Sequence, residues 1–418
     1  MTLTTSCYEG AVAACAGQHQ AEAQSSVGIV TRRNFLVSGT ALAASVAISA
    51  SAKAGSLAPA PTYQSFRPGE LWLDTSGKPI QAHGGSIIEV EGKYYWYGEN
   101  KEFTTGKTDV WTWGVRCYES TDLYNWRDLG LIIPPDTKDR NSPLAPSAFL
   151  DRPHILFNKD TRKFVCWIKL MSAGSKQTRT VLVADSISGP YSIVRQDLQP
   201  LGMNAGDFDL VVHPADGKGY MYFERVHSEM ICADLTADYT DVTGYYSTHF
   251  PEPGPPFVRE GPAHFLRHGK HYLATSGTTG YYPNPSEIAV AETFHGPFQM
   301  LGDLHPSDRS RTSFNSQISC IFRHPKKKDL YIAMADRWRG PLEGEEFESG
   351  KLSAMVHSEF RKRFSDPPEK LTVPEQRLMD TDLNINTSLA RYVWLPIRFD
   401  GDRPVIEWRP EWKVEDFE

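Results

Sequence analysis

The chain has 418 residues, is 40% hydrophobic and 23% charged, and carries a formal net charge of -7. That is enough for one large domain or two ordinary ones around a sizeable core. With basic runs no longer than Lys326-Lys327-Lys328, it lacks the concentrated basic face that nucleic-acid binding needs, and a neutral or weakly acidic substrate fits better.

The N-terminal part reads as a targeting segment. Thr31-Arg32-Arg33-Asn34-Phe35-Leu36 precedes small and apolar residues through Ala52, with small-residue cleavage patterns at Ala50-Ser51-Ala52 and Ala52-Lys53-Ala54. A twin arginine before a modest apolar stretch is the pattern of a Tat export signal, and the stretch is too short and too rich in Ala, Ser and Gly to span a bilayer comfortably. Residues 1–54 are therefore expected to be signal and extension, and the product to be periplasmic or secreted, with no membrane attachment after signal removal. Cys7 and Cys15 would leave with it. Cys117, Cys166, Cys232 and Cys320 are widely spaced with no C-x-x-C, so neither a zinc site nor a disulfide is expected.

From residue 55 to 418 the pattern is that of β-strands. A strand candidate at 70–73 comes first. Five hairpins follow: 86–90 with 93–97, 154–157 with 163–168, 210–212 with 219–223, 263–266 with 270–274, and 319–322 with 330–334. Each pairs β-branched and aromatic runs across a turn containing Gly, Asp or Lys. Tyr95, Phe164, Tyr220, Tyr272 and Tyr331 mark equivalent points, about 50 to 70 residues apart, a spacing that suggests propeller blades. Further strand candidates at 115–118, 181–184, 230–232 and 288–290 bring the count towards four per blade. Helical periodicity is scarce, which argues against an α/β barrel. The expected fold is all-β, a five-bladed β-propeller. We expect 70–73 to close the ring beside 392–399, and the charged, Pro-containing segment of about 340–390 to be a long insertion on one face, at the rim of a cleft.

A set of short strings then falls in order along the blades: Gln81-Ala82-His83-Gly84-Gly85, Tyr94-Tyr95-Trp96-Tyr97-Gly98-Glu99, Ser120-Thr121-Asp122-Leu123-Tyr124-Asn125-Trp126, Asp151-Arg152-Pro153, Ser188-Gly189-Pro190-Tyr191, Glu260-Gly261-Pro262, Tyr282-Pro283-Asn284-Pro285 and Ala335-Asp336-Arg337-Trp338. In this order they resemble glycoside hydrolase family 43, nearest its exo-β-1,3-galactanase and α-L-arabinofuranosidase branches, over about residues 69–412. The resemblance implies hydrolysis with inversion. Its general acid falls on Glu260 and the carboxylate that orients and tunes the acid on Asp207, with Asp209, two residues on and facing the same side, as the fallback. The family's usual base is an Asp directly after the blade-one His. Here Gly84 stands there, a gap shared with the galactanase branch, in which a Gln of the fifth blade assists the water. That role passes to Gln317. A Glu usual before Arg-Pro in blade two is replaced by the shorter Asp151.

Such chemistry needs a protonated acid on one side of the sugar and an activated water on the other, with the acid's pKa raised by burial or a neighbouring negative charge. Glu260 beside Asp207 meets that requirement. Glu99, Tyr97, Asn284, Arg337 and Trp338 are the further candidates for holding substrate. Each has a plainer reading: core packing for Tyr97 and Trp338, a structural ion pair for Asp151, turn capping for Asp207, an inner-strand polar residue for Gln317. His83 leans towards the core. No motif demands a cofactor; some family members hold calcium in the central channel, but no EF-hand loop or dense Asp cluster marks one here. The expected partner is a polysaccharide or oligosaccharide of arabinogalactan type, the expected activity that of an exo-acting glycosidase. The alternatives are an α-L-arabinofuranosidase and a propeller that only binds glycans. The oligomeric state is left open.

Overall fold

The five hairpins become the first two strands of five four-stranded antiparallel sheets, each with its strands in simple chain order. The computed structural model describes residues 62–171, 176–340 and 342–418, and the twin-arginine segment lies outside them. Blade one is β1 (His83–Val90), β2 (Lys93–Glu99), β3 (Val115–Ser120) and β4 (Arg127–Ile133). Blade two is β5 (Leu150–Asn158), β6 (Lys163–Met171), β7 (Gln177–Ala184) and β8 (Ser192–Leu198). Blade three is β9 (Ala205–Val212), β10 (Gly219–Arg225), β11 (Glu229–Leu235) and β12 (Val242–His249). Blade four is β13 (Arg259–Arg267), β14 (Lys270–Gly277), β15 (Glu287–Ala291) and β16 (Gln299–Asp303). Blade five is β17 (Gln317–Arg323), β18 (Tyr331–Arg337), β19 (Arg391–Asp400) and β20 (Arg403–Ile406).

The first strand of each blade packs against that of the next, and β1 meets β17, so the ring closes around five inner strands. Burial falls from inside outward, as the fold requires: β6 reads KFVCWIKLM with all but its end residues buried, whereas β8 at the rim reads SIVRQDL and is exposed almost throughout. The marker aromatics all lie on second strands. Apolar contact between neighbouring blades supplies the core, as in the cluster that joins Trp167 and Val181 of blade two to Phe208, Phe223 and Ile231 of blade three. Cys117, Cys166, Cys232 and Cys320 are buried free thiols in these strands, and burial pushes each of them up, Cys320 to about 12.

Closure differs from the expectation. Residues 70–73 form no strand beside 392–399: β20, tethered to β19 by a tight turn at Gly401 (φ 63°), pairs with 397–400, and at the other end the chain makes a backbone contact just before 70–73, where the Gly69 N–H donates to the Tyr392 carbonyl at 2.7 Å. Residues 66–72 close the ring with one isolated backbone bridge and with aromatic side chains. Phe66 forms an isolated bridge with Trp412 and stacks on it at 4.3 Å, while Trp72 enters a cage with Trp96 at 5.4 Å and Trp394 at 5.2 Å. The Trp412 indole also donates to the Trp394 carbonyl at 2.8 Å.

Between β18 and β19 lie three helices: α1 (Glu345–Glu348), α2 (Lys351–Arg363) and α3 (Val373–Leu383). Thr372 and Glu375 form a reciprocal capping box at the start of α3. Glu375 also binds Lys362 of α2 at 2.7 Å. The helix pair docks on blade four through a cluster of Tyr282, Val356 and Phe360.

Truncating the aromatic clasp should open the ring. Trp412→Ala removes a fully buried indole and is expected to destabilise the fold by about 3–5 kcal/mol, read as a lowered midpoint in urea unfolding with the denaturant slope unchanged.

Candidate active site

Three inner strands begin with one short pattern: a polar residue, a residue with left-handed backbone, then Gly or Pro. In β1 it is His83-Gly84-Gly85, in β5 Asp151-Arg152-Pro153, in β13 Glu260-Gly261-Pro262, with φ of 57°, 47° and 57° at the middle residue. In each case the ladder register slips across the pattern, between His83 and Ser86, Asp151 and His154, and Glu260 and Ala263. A bulge of this kind frees a strand end from its alternation and re-aims side chains, and it is a place where proline costs no ladder bond. The side chains so released converge on one end of the central funnel.

Arg152 and Lys169 tie them together. The Arg152 guanidinium pairs with Asp207 at 2.8 Å through Nε and donates to Gln317 Oε1 at 2.9 Å through an Nη. Lys169 Nζ lies 2.7 Å from Asp207 and 3.2 Å from Asp151. Asp151 also accepts from the Trp111 indole at 2.6 Å. Glu99 pairs with buried Lys101 at 2.7 Å and accepts from the Arg152 backbone amide at 3.0 Å. Gln317 completes the chain: its Nε2 donates to Ser276 Oγ at 2.9 Å and approaches Glu260 Oε1 at 3.4 Å.

The charges are unequally shared. Burial pushes Asp207 up, but Arg152 and Lys169 outweigh it and hold its carboxyl at about 2. Burial raises Glu99 to about 7, against the pull of Lys101. Glu260, partly open to the funnel, has its carboxyl raised well above the usual range, first by desolvation and then by Asp207 and Glu224. Arg152 and Lys169 oppose this shift and lose, being already engaged by other carboxylates.

Aromatic rings bound the opening. Ser276, Tyr281, Asn284, Gln317, Asp336 and Trp338 line a narrow cleft. The Trp338 ring meets Tyr281 edge-on at 5.6 Å, and its indole N–H faces Gln317 Oε1 at 3.4 Å. Tyr281 in turn lies 6.1 Å from Trp111. Trp111 belongs to blade one and Tyr281 to blade four, which are not neighbours in the ring, so their meeting closes one side of the opening.

The residues expected from the sequence thus divide. Glu260, Asp207, Gln317, Asp151, Glu99 and Trp338 belong to one connected network. Asn284 lines the cleft, but its amide is spent on Gly277 and Thr279 and holds the β14–β15 loop. Asp209 faces the channel and is occupied by His154 at 3.1 Å and the His264 amide at 2.7 Å. Tyr97 is fully enclosed between blades one and two, where its hydroxyl bonds both backbone groups of Ile155. Arg337 turns to the carbonyls of Phe314 and Asn315. His83 is a core residue, 3.0 Å from Asp336 and stacked on Tyr392. A Cβ on Gly84 would displace the Glu99 carboxylate from its place beside Lys101 and the Arg152 amide. Sequence reasoning missed Lys101, Trp111, Lys169, Glu224 and Tyr281. For Lys169 a signal existed: a cation between Ile168 and Leu170 in the otherwise apolar interior of its strand. Among the described residues no three His, Cys, Asp or Glu side chains converge as metal ligands.

A five-bladed propeller whose inner strand ends gather carboxyl groups and rings at one cleft defines a class of carbohydrate-processing proteins. Residues 78–337 match the family model "Glycosyl hydrolases family 43", and the chain belongs to that family. It is similar to a solved family-43 β-1,3-galactosidase, at 26% identity and TM-score 0.65 over 84% of this chain and 64% of that one. A Phanerochaete chrysosporium exo-β-1,3-galactanase, solved with β-1,3-galactotriose, is 24% identical with TM-score 0.66 over 84% of this chain and 68% of its own, a likeness of fold. An Escherichia coli (strain K12) protein provisionally named a β-xylosidase is 29% identical over 236 residues, 52% of this chain. The chain spans only 40% of the length of that relative and 64% of the β-1,3-galactosidase.

The electrostatics give a signed test. Asp207→Asn removes a negative charge from beside Glu260 and leaves Arg152 without its carboxylate and Lys169 with Asp151 alone, so both changes lower the Glu260 pKa. The alkaline limb of kcat/KM is expected to move to lower pH. A limb that stays in place or moves upward would show that Asp207 does not govern the proton on Glu260.

Proposed function

We propose that this chain is an inverting, exo-acting glycosidase that removes terminal galactose from β-1,3-galactan of the arabinogalactan type. The observation that carries the reading is the setting of Glu260: the Arg152 and Lys169 cations beside it are engaged by Asp207, while desolvation and the Asp207 charge raise its carboxyl well above the usual range. In this reading Glu260 gives its proton to the glycosidic oxygen as the bond to the anomeric carbon breaks. A water held by Gln317 attacks that carbon from the opposite face, leaving the product with inverted configuration, and the proton the water sheds returns through solvent to Glu260 and reloads the acid. Arg152 and Trp338 both donate to Gln317 Oε1. They hold the amide by its oxygen and keep Nε2 turned towards Ser276 and Glu260. Asp207 stays ionised throughout and keeps the acid loaded.

Exo action is supported by the closed side of the cleft, since a wall from Trp111 to Tyr281 suits a chain end better than a chain passing through. The galactose assignment is supported by similarity to the β-1,3-galactosidase and by the pairing of Gly84 with Gln317 in place of a blade-one Asp. We propose as well that the twin-arginine segment exports the protein to meet its polysaccharide outside the cytoplasm.

The test is to incubate the purified protein with β-1,3-galactan and, in parallel, with arabinosyl and xylosyl glycosides, and to identify the released monosaccharide by chromatography. Galactose release is expected, and Glu260→Gln should reduce kcat by about 10²–10⁴-fold. Arabinose or xylose alone would overturn the galactan assignment, and glycan binding without any released sugar would overturn catalysis.

A further inference from the structure

The inserted helices touch the cleft at one charged point. Asp382, in the last turn of α3, accepts from Arg339 at 2.8 Å and from the backbone N–H of Tyr281 at 3.1 Å, both at Oδ1. Arg339 directly follows Trp338, and its guanidinium also lies 3.6 Å over the Tyr282 ring. The Tyr282 hydroxyl is 2.8 Å from Thr381, the residue before Asp382. One carboxylate therefore grips the strand end that carries Trp338 and the loop that carries Tyr281, the two rings that meet in the cleft wall.

Two features show that this contact is built rather than incidental. An acidic side chain in the last turn of a helix sits at the wrong end of the helix dipole, so local helix energetics do not favour Asp382 there. Gly280, with φ of 57°, leaves open the space that a Cβ would take from Asp382 Oδ2. The backbone of the blade-four loop is shaped to admit the carboxylate. Asp382 and Arg339 are each about 12% exposed, so little solvent competes with the pair. Arg363 of α2 adds a second cation to the field around Asp382.

We propose that Asp382 is a positioning residue: through Arg339 and the Tyr281 amide it fixes Trp338 and Tyr281 as the wall of the sugar cleft, so the inserted helices set which terminal sugar is accepted. This rests on the glycosidase reading above. The residue acts on the ground-state fit of the sugar and not on the proton transfer, so its loss should appear in KM.

With β-1,3-galactobiose as substrate, Asp382→Ala is expected to raise KM by about tenfold with kcat changed less than about twofold. Asp382→Asn keeps an acceptor for Tyr281 and loses the ion pair, and should fall between. Gly280→Ala, which pushes the carboxylate away from the other side, should reproduce the Asp382→Ala effect. Tyr281→Ala should raise KM similarly, and in the Tyr281→Ala background Asp382→Ala should raise KM by clearly less than its roughly tenfold effect alone, because the Tyr281 arm is already lost and only the Arg339–Trp338 arm remains to be released. Melting curves check that the variants are folded; if Asp382→Ala is not, Asp382→Asn and Gly280→Ala carry the test. An unchanged KM in the folded variants, a fall in kcat alone, or full additivity in the double variant would overturn the proposal. If the wild-type protein cleaves no glycoside, the functional reading fails separately, and the comparison moves to the Kd for β-1,3-galactobiose from tryptophan fluorescence. Equal Kd for wild type and Asp382→Asn would then overturn the positioning role, and absence of binding by the wild type would overturn both.

Discussion

Everything at the cleft depends on two buried cations that have few water molecules to turn to. Arg152 and Lys169 must find carboxylates, because an uncompensated charge in such a place is far more costly than a paired one. They find Asp207, shared between them, and Asp151. Once these bonds are made, Asp207 cannot take up a proton near neutral pH and Glu260 cannot easily lose one. The division of labour between the two carboxyl groups is thus a matter of which reached the cations, and that is decided by where the inner strands end.

The backbone contributes as much as the charges. Placing Arg152 at φ 47° costs a non-glycine residue roughly 1–2 kcal/mol. The same turn aims its side chain at Asp207 and Gln317 while its amide meets Glu99. At the matching points of blades one and four glycine takes the left-handed position, so no side chain projects there. Of these three blades, blade two alone places a side chain there, and that side chain ties Asp207 to Gln317.

Much of this was legible in the chain. The hairpins are local objects, and their aromatic second strands repeat closely enough to count the blades. Glu260, Asp207, Asp151 and Gln317 stand at or near the starts of inner strands, beside recognisable Gly, Pro or polar neighbours. The ring closure was not legible, because a β-like tetrapeptide at 70–73 looks the same whether it joins a sheet or only sends Trp72 into a cage. Lys101, Trp111 and Tyr281 come from connecting loops whose partners are set by the closed ring, and no periodicity marks them. Tyr97 and Trp338 looked alike as ring-bearing residues near strand ends. Only the packing of neighbouring blades buries the first and leaves the second at the cleft.

The four free thiols have a consequence of another kind. Each lies inside a strand of the folded ring, and desolvation keeps it in the unreactive protonated form. Within the described residues the folded ring therefore shields its thiols from the oxidants of whatever compartment it occupies. An unfolded chain would present all four at once, free to cross-link in pairings that no native blade could accommodate. Durability in an oxidising environment is then a question of history: it depends on whether the ring closed before the oxidant arrived.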